Sequence, residues 1–123
     1  MKQEALEQLQ QAHTMAQSIN MVAILPRIIN SIGFTFITLQ DWSTADSHFM
    51  ECLTQAKSIG DRYTEAVAFT NLGASEFYQK KFGKSIHSFH QGLTIHKEIF
   101  VPGHFNITKV EKYIEAAKVK LAN

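Results

Sequence analysis

The chain has 123 residues, 45% of them apolar and 19% charged, the composition of one ordinary globular domain rather than of a disordered or fibrous segment. Its 12 basic and 11 acidic side chains leave a formal charge of +1, too little to gather phosphates or lipid head groups over a distance, so direct nucleic-acid binding is disfavoured. No apolar run approaches the roughly 18 residues of a membrane helix, and the start Lys2-Gln3-Glu4-Ala5-Leu6-Glu7 is unlike a signal sequence, so no membrane partner and a cytoplasmic location are expected.

Residues 2–19 place Ala5, Leu9, Ala12, His13 and Ala16 three and four apart with polar residues between them, which predicts an amphipathic helix. Asn20 reads as its left-handed stop. Pro26 predicts that the next helix begins no earlier than about the preceding turn, with an irregular start. That helix carries Ile29, Ile32, Gly33, Phe36 and Ile37 and ends near Leu39-Gln40. Asp41 is suited to cap the following helix, whose face is Trp42, Ala45, Phe49, Cys52, Leu53 and Ala56, as far as Ile59. At Gly60-Asp61 the glycine supplies a left-handed terminus and the carboxylate accepts from the amides of the next helix.

From Arg62 to Gln79 the apolar face is Ala66, Phe69, Leu72, Gly73 and Phe77; from Phe82 to Ile99 it is Phe82, Ile86, Phe89, Leu93 and Ile99. Val101-Pro102-Gly103 breaks the pattern. A last helix from about Phe105 brings Val110, Tyr113, Ile114, Ala117 and Leu121 to one side, while Lys109, Lys112, Lys118 and Lys120 keep the other side wet. The turns are short, so neighbouring helices are expected to be antiparallel.

Nearly every informative residue between Ile28 and Ile59 returns 40 positions later. Ile29, Ile32-Gly33, Trp42, Ala45, Phe49, Cys52, Leu53 and Ile59 are answered by Phe69, Leu72-Gly73, Phe82, Ser85, Phe89, Gly92, Leu93 and Ile99. The register extends backwards to Ala5, Leu9, Ala12, His13, Ala16 and Ile19. The expected organisation is a single all-α domain over 1–123: the second helix of an incomplete repeat at 2–19, repeats at 22–59 and 62–99, and a capping helix at 104–122. Gly33 and Gly73 are expected where paired helices cross closely, with Ala45 and Ser85 facing them and Trp42 and Phe82 filling the open end of each pair.

These residues resemble the tetratricopeptide repeat (TPR) family, in the run Ile29, Ile32-Gly33, Phe36, Trp42, Ala45, Phe49, Cys52, Leu53 and again in Phe69, Leu72-Gly73, Phe82, Ser85, Phe89, Gly92, Leu93. The period is longer than the family's about 34 residues, and Glu76 stands where the family has an aromatic. Long repeats ending in Gly-Asp, here Gly60-Asp61, are similar to those of bacterial signalling and transcription regulators and of some eukaryotic polarity adaptors. The resemblance implies a TPR-like α-α superhelix of about six antiparallel helices whose concave groove holds a peptide or another protein. Projected onto this chain, the groove takes Arg27, Asn30, Phe34, Ile37 and Thr38 from one unit and Val67, Thr70, Asn71, Ala74, Phe77 and Tyr78 from the next. Phe34, Ile37 and Phe77 have a second reading as side chains packed on neighbouring helices. The carboxylate clamp of the chaperone-binding relatives is not expected, because the lysines fall elsewhere.

No metal, cofactor or catalytic constellation is expected. Cys52 reads as a close-packing residue, since Ala12 and Gly92 occupy its equivalent positions. His87, His90 and His96 share one helix without a Cys, Asp or Glu to complete a metal set near the first two, and read as solvated surface histidines; His13 reads as a core or interface histidine. Lys80, Lys81 and Lys84 read as a soluble loop tip. The expected function is a protein- or peptide-binding module, not an enzyme. The alternative is a structural or self-assembly element: an unpaired first helix leaves Ala5, Leu9, Ala12 and His13 for a second copy to cover, as a homodimer, unless the chain is a fragment of a larger repeat-containing regulator.

Overall fold

The computed structural model describes residues 2–18 and 22–123, which form six α-helices and, among the described residues, no strand. They are α1 (Lys2–Ser18), α2 (Leu25–Thr38), α3 (Trp42–Ile59), α4 (Arg62–Tyr78), α5 (Phe82–Ile99) and α6 (Phe105–Ala122). The stop assigned to Asn20 lies outside the described residues. The irregular approach to α2 is a 3₁₀ turn at Val22–Ile24, and Pro26 sits in the first helical turn, where its missing N–H breaks no bond.

One turn geometry joins α2 to α5. The N–H groups of Gln40, Gly60 and Lys80 donate to Ile37, Lys57 and Phe77, and those of Asp41, Asp61 and Lys81 donate five residues back to Phe36, Ala56 and Glu76. This is a Schellman terminus used three times, and it puts one residue of each turn in the left-handed region: Gln40 (φ 61°), Gly60 (φ 71°) and Lys80 (φ 64°). The residue that closes each helix starts the next. Asp41 and Asp61 accept from the amides of Thr44 and Thr64 (3.3 and 3.1 Å), whereas Lys81 offers α5 no side-chain cap.

The tight turns fold each helix back on the one before it. Across α2 and α3, a Cβ added at Gly33 would lie 2.7 Å from the Phe49 ring; across α4 and α5, one added at Gly73 would lie 2.6 Å from Phe89. The glycines are therefore seats for the aromatic side chain of the partner helix, a more specific role than close backbone crossing. Ser85 adds a hydrogen bond to the Gly73 carbonyl (2.7 Å), and the Cys52 thiol donates to the Pro26 carbonyl (3.1 Å). Ile29, Phe49, Leu53, Phe69, Leu72 and Ile95 are buried together between α2 and α5, and Phe89, Leu93, Ile107, Val110 and Ile114 form a second apolar cluster under α6.

Several expected core positions are not core. On α1 the buried side chain is Leu6; Ala5 and Ala12 are exposed, and Leu9 and His13 are half-buried. α1 packs on α2 and buries its Leu6 side, while His13 approaches Glu51 of α3 at 4.0 Å. Ile59 and Ile99, last residues of α3 and α5, are exposed, as is Leu121 near the end of α6. His96 is not a surface histidine. It is 3% exposed, edge-on to Tyr63 and stacked on Phe100, which itself stacks on His104 at 4.0 Å between ring centroids. Burial, then Lys109 and His104, hold its pKa below the ordinary imidazole value.

Candidate binding groove

Because consecutive helices are antiparallel, α2, α4 and α6 run in one direction, and α2 touches α4 directly. These three helices wall an open groove of about 480 Å3. Phe34 and Ile37 contribute from α2, Thr70, Asn71, Ala74, Phe77 and Tyr78 from α4, and Lys109, Tyr113 and Ala116 from α6, with Phe89 at the floor. Seven of the eleven residues projected for the groove therefore meet there. Asn30 joins them through Asn71, whose side-chain amide donates to Asn30 Oδ1 at 3.0 Å. Arg27 and Val67 do not line it, nor does Thr38, whose carbonyl accepts from Lys2 Nζ.

The rings are held rather than loose. Tyr78 stacks on Trp42 of α3 at 5.2 Å and is still 59% exposed; Phe77 stands edge-on to Phe82 of α5 at 5.3 Å. So Trp42 and Phe82, after each turn, brace the apolar end of the groove from behind. Phe34 is 55% exposed and is not packed down on its neighbours, unlike the half-buried Ile37 and Phe77. The Thr70 hydroxyl is committed to the Ala66 carbonyl (2.9 Å) and is buried, so it offers a ligand little.

The third wall was not expected. Lys109 was assigned to the wet side of α6 and Tyr113 to its packed side; both face the groove, Tyr113 with its ring centroid 5.5 Å from that of Phe89. The signal for this lies in the sequence: the apolar positions of α6 stand about one residue off the 40-residue register, and one residue rotates a helix by about 100°.

Glu76, the departure from the family pattern, faces away from the groove. It is buried, accepts from the Ser88 hydroxyl at 2.6 Å, and has its pKa raised, chiefly by burial and further by Asp46, against the pull of Ser88, Lys84 and Lys81. Cys52 is fully buried and its thiol is pushed up to about 12, mainly by desolvation, which leaves no thiolate at neutral pH. Among the described residues no group of three or more His, Cys, Asp or Glu side chains is placed to hold a metal, and no helix is long and apolar enough to cross a membrane. No protein-family model and no curated protein matches the chain, so the functional reading rests on this groove.

Proposed function

We propose that the chain is an interaction module, a short TPR-like stack that holds a segment of a partner protein between α2, α4 and α6. The carrying observation is the groove itself, open to solvent, walled by apolar rings and edged by the Asn30–Asn71 amides. Exposed rings beside a few amides are the usual composition of a peptide-binding surface, where an aromatic anchor supplies affinity and amides fix the backbone. The TPR-like reading is supported by contacts that recur 40 positions apart, Gly33 with Phe49 and Gly73 with Phe89, and by the left-handed pair Gln40 and Lys80.

The test is selection from a displayed random-peptide library, followed by binding of the selected peptides to Phe34→Ser. Phe34 is exposed, so the variant keeps its fold, and binding should fall by about tenfold, as for loss of an anchor ring. Unchanged binding would remove the groove from the function.

A second reading, self-assembly through α1, has its own observation. Ala5 and Ala12 are exposed, whereas Ala45 and Cys52 in the corresponding positions of α3 are 0% exposed. Light scattering across a concentration series tests it, with a dimer that Leu9→Glu splits as the supporting result.

A further inference from the structure

We infer that the partner segment is acidic as well as apolar: it lays an aromatic or large aliphatic side chain among Phe34, Phe77 and Tyr78 and brings a carboxylate to Lys109. The inference rests on the groove reading above and gives the groove a polarity and a charge.

The argument is one of charge complementarity. Lys109 is the one charged side chain among the groove-lining residues. Its ammonium lies over the Phe105 ring, 5.7 Å from the centroid, and no carboxylate among the described residues pairs with it. The carboxylates of the three wall helices are all directed elsewhere. α2 contains none. On α4, Glu65 pairs with Arg62 at 3.0 Å and Glu76 is buried against Ser88. On α6, Glu115 pairs with Lys118 at 3.5 Å, and Glu111 lines a different cleft with Lys97 and Pro102. The groove thus carries an unanswered positive charge beside low-dielectric ring faces, where attraction for a carboxylate is strengthened and a basic segment is repelled. A nucleic-acid strand fits less well: it carries a charge on every phosphate, and the groove answers with one ammonium.

The spacing follows from shared contacts. Phe89 is packed against both Gly73 and Tyr113, which sets these two residues at one level on the parallel helices α4 and α6. Lys109 is then one turn before that level and Phe77 one turn after it, about 11–12 Å apart along the groove. An extended segment covers that distance in about three or four residues.

The experiment uses the peptides selected on the wild-type chain and the variants Lys109→Glu and Phe34→Ser. The expected result is an Asp or Glu three or four residues from an aromatic or large aliphatic residue. Lys109→Glu should bind these peptides about tenfold more weakly and, in a fresh selection, choose Lys or Arg at the acidic position. Raising the salt concentration should weaken wild-type binding and leave the weakened variant nearly unchanged. Selected peptides that are neutral or basic, or acidic ones that bind Lys109→Glu unchanged, overturn the charge assignment while loss on Phe34→Ser keeps the groove. Peptides indifferent to both variants overturn the groove as well. A chain whose self-association Lys109→Glu disrupts would make a second copy the occupant and overturn the proposal.

Discussion

Asn71 of α4 donates its side-chain amide to Asn30 of α2 at 3.0 Å, so the two residues best suited to hold a peptide backbone hold each other. Each is half-buried and keeps further hydrogen-bonding capacity toward the groove. Asn71→Ala removes one neutral hydrogen bond at a site that water reaches, which costs about 0.5–1.5 kcal/mol in urea denaturation. The same variant should weaken a groove-bound peptide several-fold. A stability loss without any loss of binding would make the pair a structural tie between α2 and α4 and nothing more.

Gly33→Ala and Gly73→Ala should both destabilise the fold, in spite of alanine's better helix propensity of about 1 kcal/mol. Both new Cβ atoms meet Cδ1 and Cε1 of the partner ring, but at Gly73 the third contact is Phe89 Cγ, at the root of the ring, whereas at Gly33 it is Phe49 Cζ, at its tip. Both rings are buried at 2% exposure or less, so neither can swing into water. Overpacking of this kind costs about 1–3 kcal/mol, with Gly73→Ala the larger because a ring rooted closer has less room to tilt. Equal or improved urea midpoints for both variants would show that the helix pairs are looser than their packing implies.

The same two glycines show how much was legible in sequence. A residue that must be small because a partner ring occupies its space leaves a recurring gap in an apolar pattern, and Gly33 and Gly73 were found that way. Asp41 and Asp61 were equally readable, since N-capping depends on local spacing alone. The misplaced residues are those whose environment is set by other elements. Periodicity finds the apolar stripe of α1, yet the side on which α2 lies decides that Leu6 is buried and Ala5 is not. His96 is enclosed by Tyr63 and Phe100, 33 positions before it and 4 after it. Lys109 entered the groove because α6 is rotated out of the repeat register, and no local propensity records that rotation. Gln40 and Lys80 were equally hidden: their left-handed geometry is imposed by the turn bonds around them, not by side chains that favour it.

The third copy of the turn lacks what the first two have. At Lys81, α5 starts without a side-chain acceptor, although the backbone matches that at Asp41 and Asp61. Lys81→Ser should accept from the amide of Lys84 or its neighbour and stabilise the chain. Lys81 also helps keep the buried Glu76 ionised, so the proper reference is Lys81→Ala, which removes the same charge without supplying an acceptor. The serine variant should exceed the alanine variant by about 1 kcal/mol in urea denaturation. Equal midpoints would mean that water already caps this helix as well as a hydroxyl does.

Glu76 and His96 give the stability two opposed dependences on pH. Burial raises the Glu76 pKa above its ordinary 4.5, so the folded chain holds that proton more tightly; the associated stability is full below 4.5 and is lost as pH rises through the folded value. Burial lowers the His96 pKa, so the unfolded chain takes up the proton first. Its stability is full above 6.5 and drains as pH falls through 6.5 toward the folded value. In the wild-type chain the two slopes oppose each other where their ranges overlap, and single variants should separate them. Glu76→Gln keeps an acceptor for the Ser88 hydroxyl and removes the first slope, leaving stability that rises with pH up to the ordinary imidazole value of 6.5 and is level above it. His96→Phe fits among the rings of Tyr63 and Phe100, removes a buried Nδ1 that has no hydrogen-bond partner, and leaves stability that falls as pH rises. Urea midpoints for both variants between pH 4.5 and 6.5, upward from the ordinary carboxyl value and downward from the ordinary imidazole value, decide the matter. Slopes of the same sign would show that at least one of the two groups is reached by water in the folded chain and is not held by its burial.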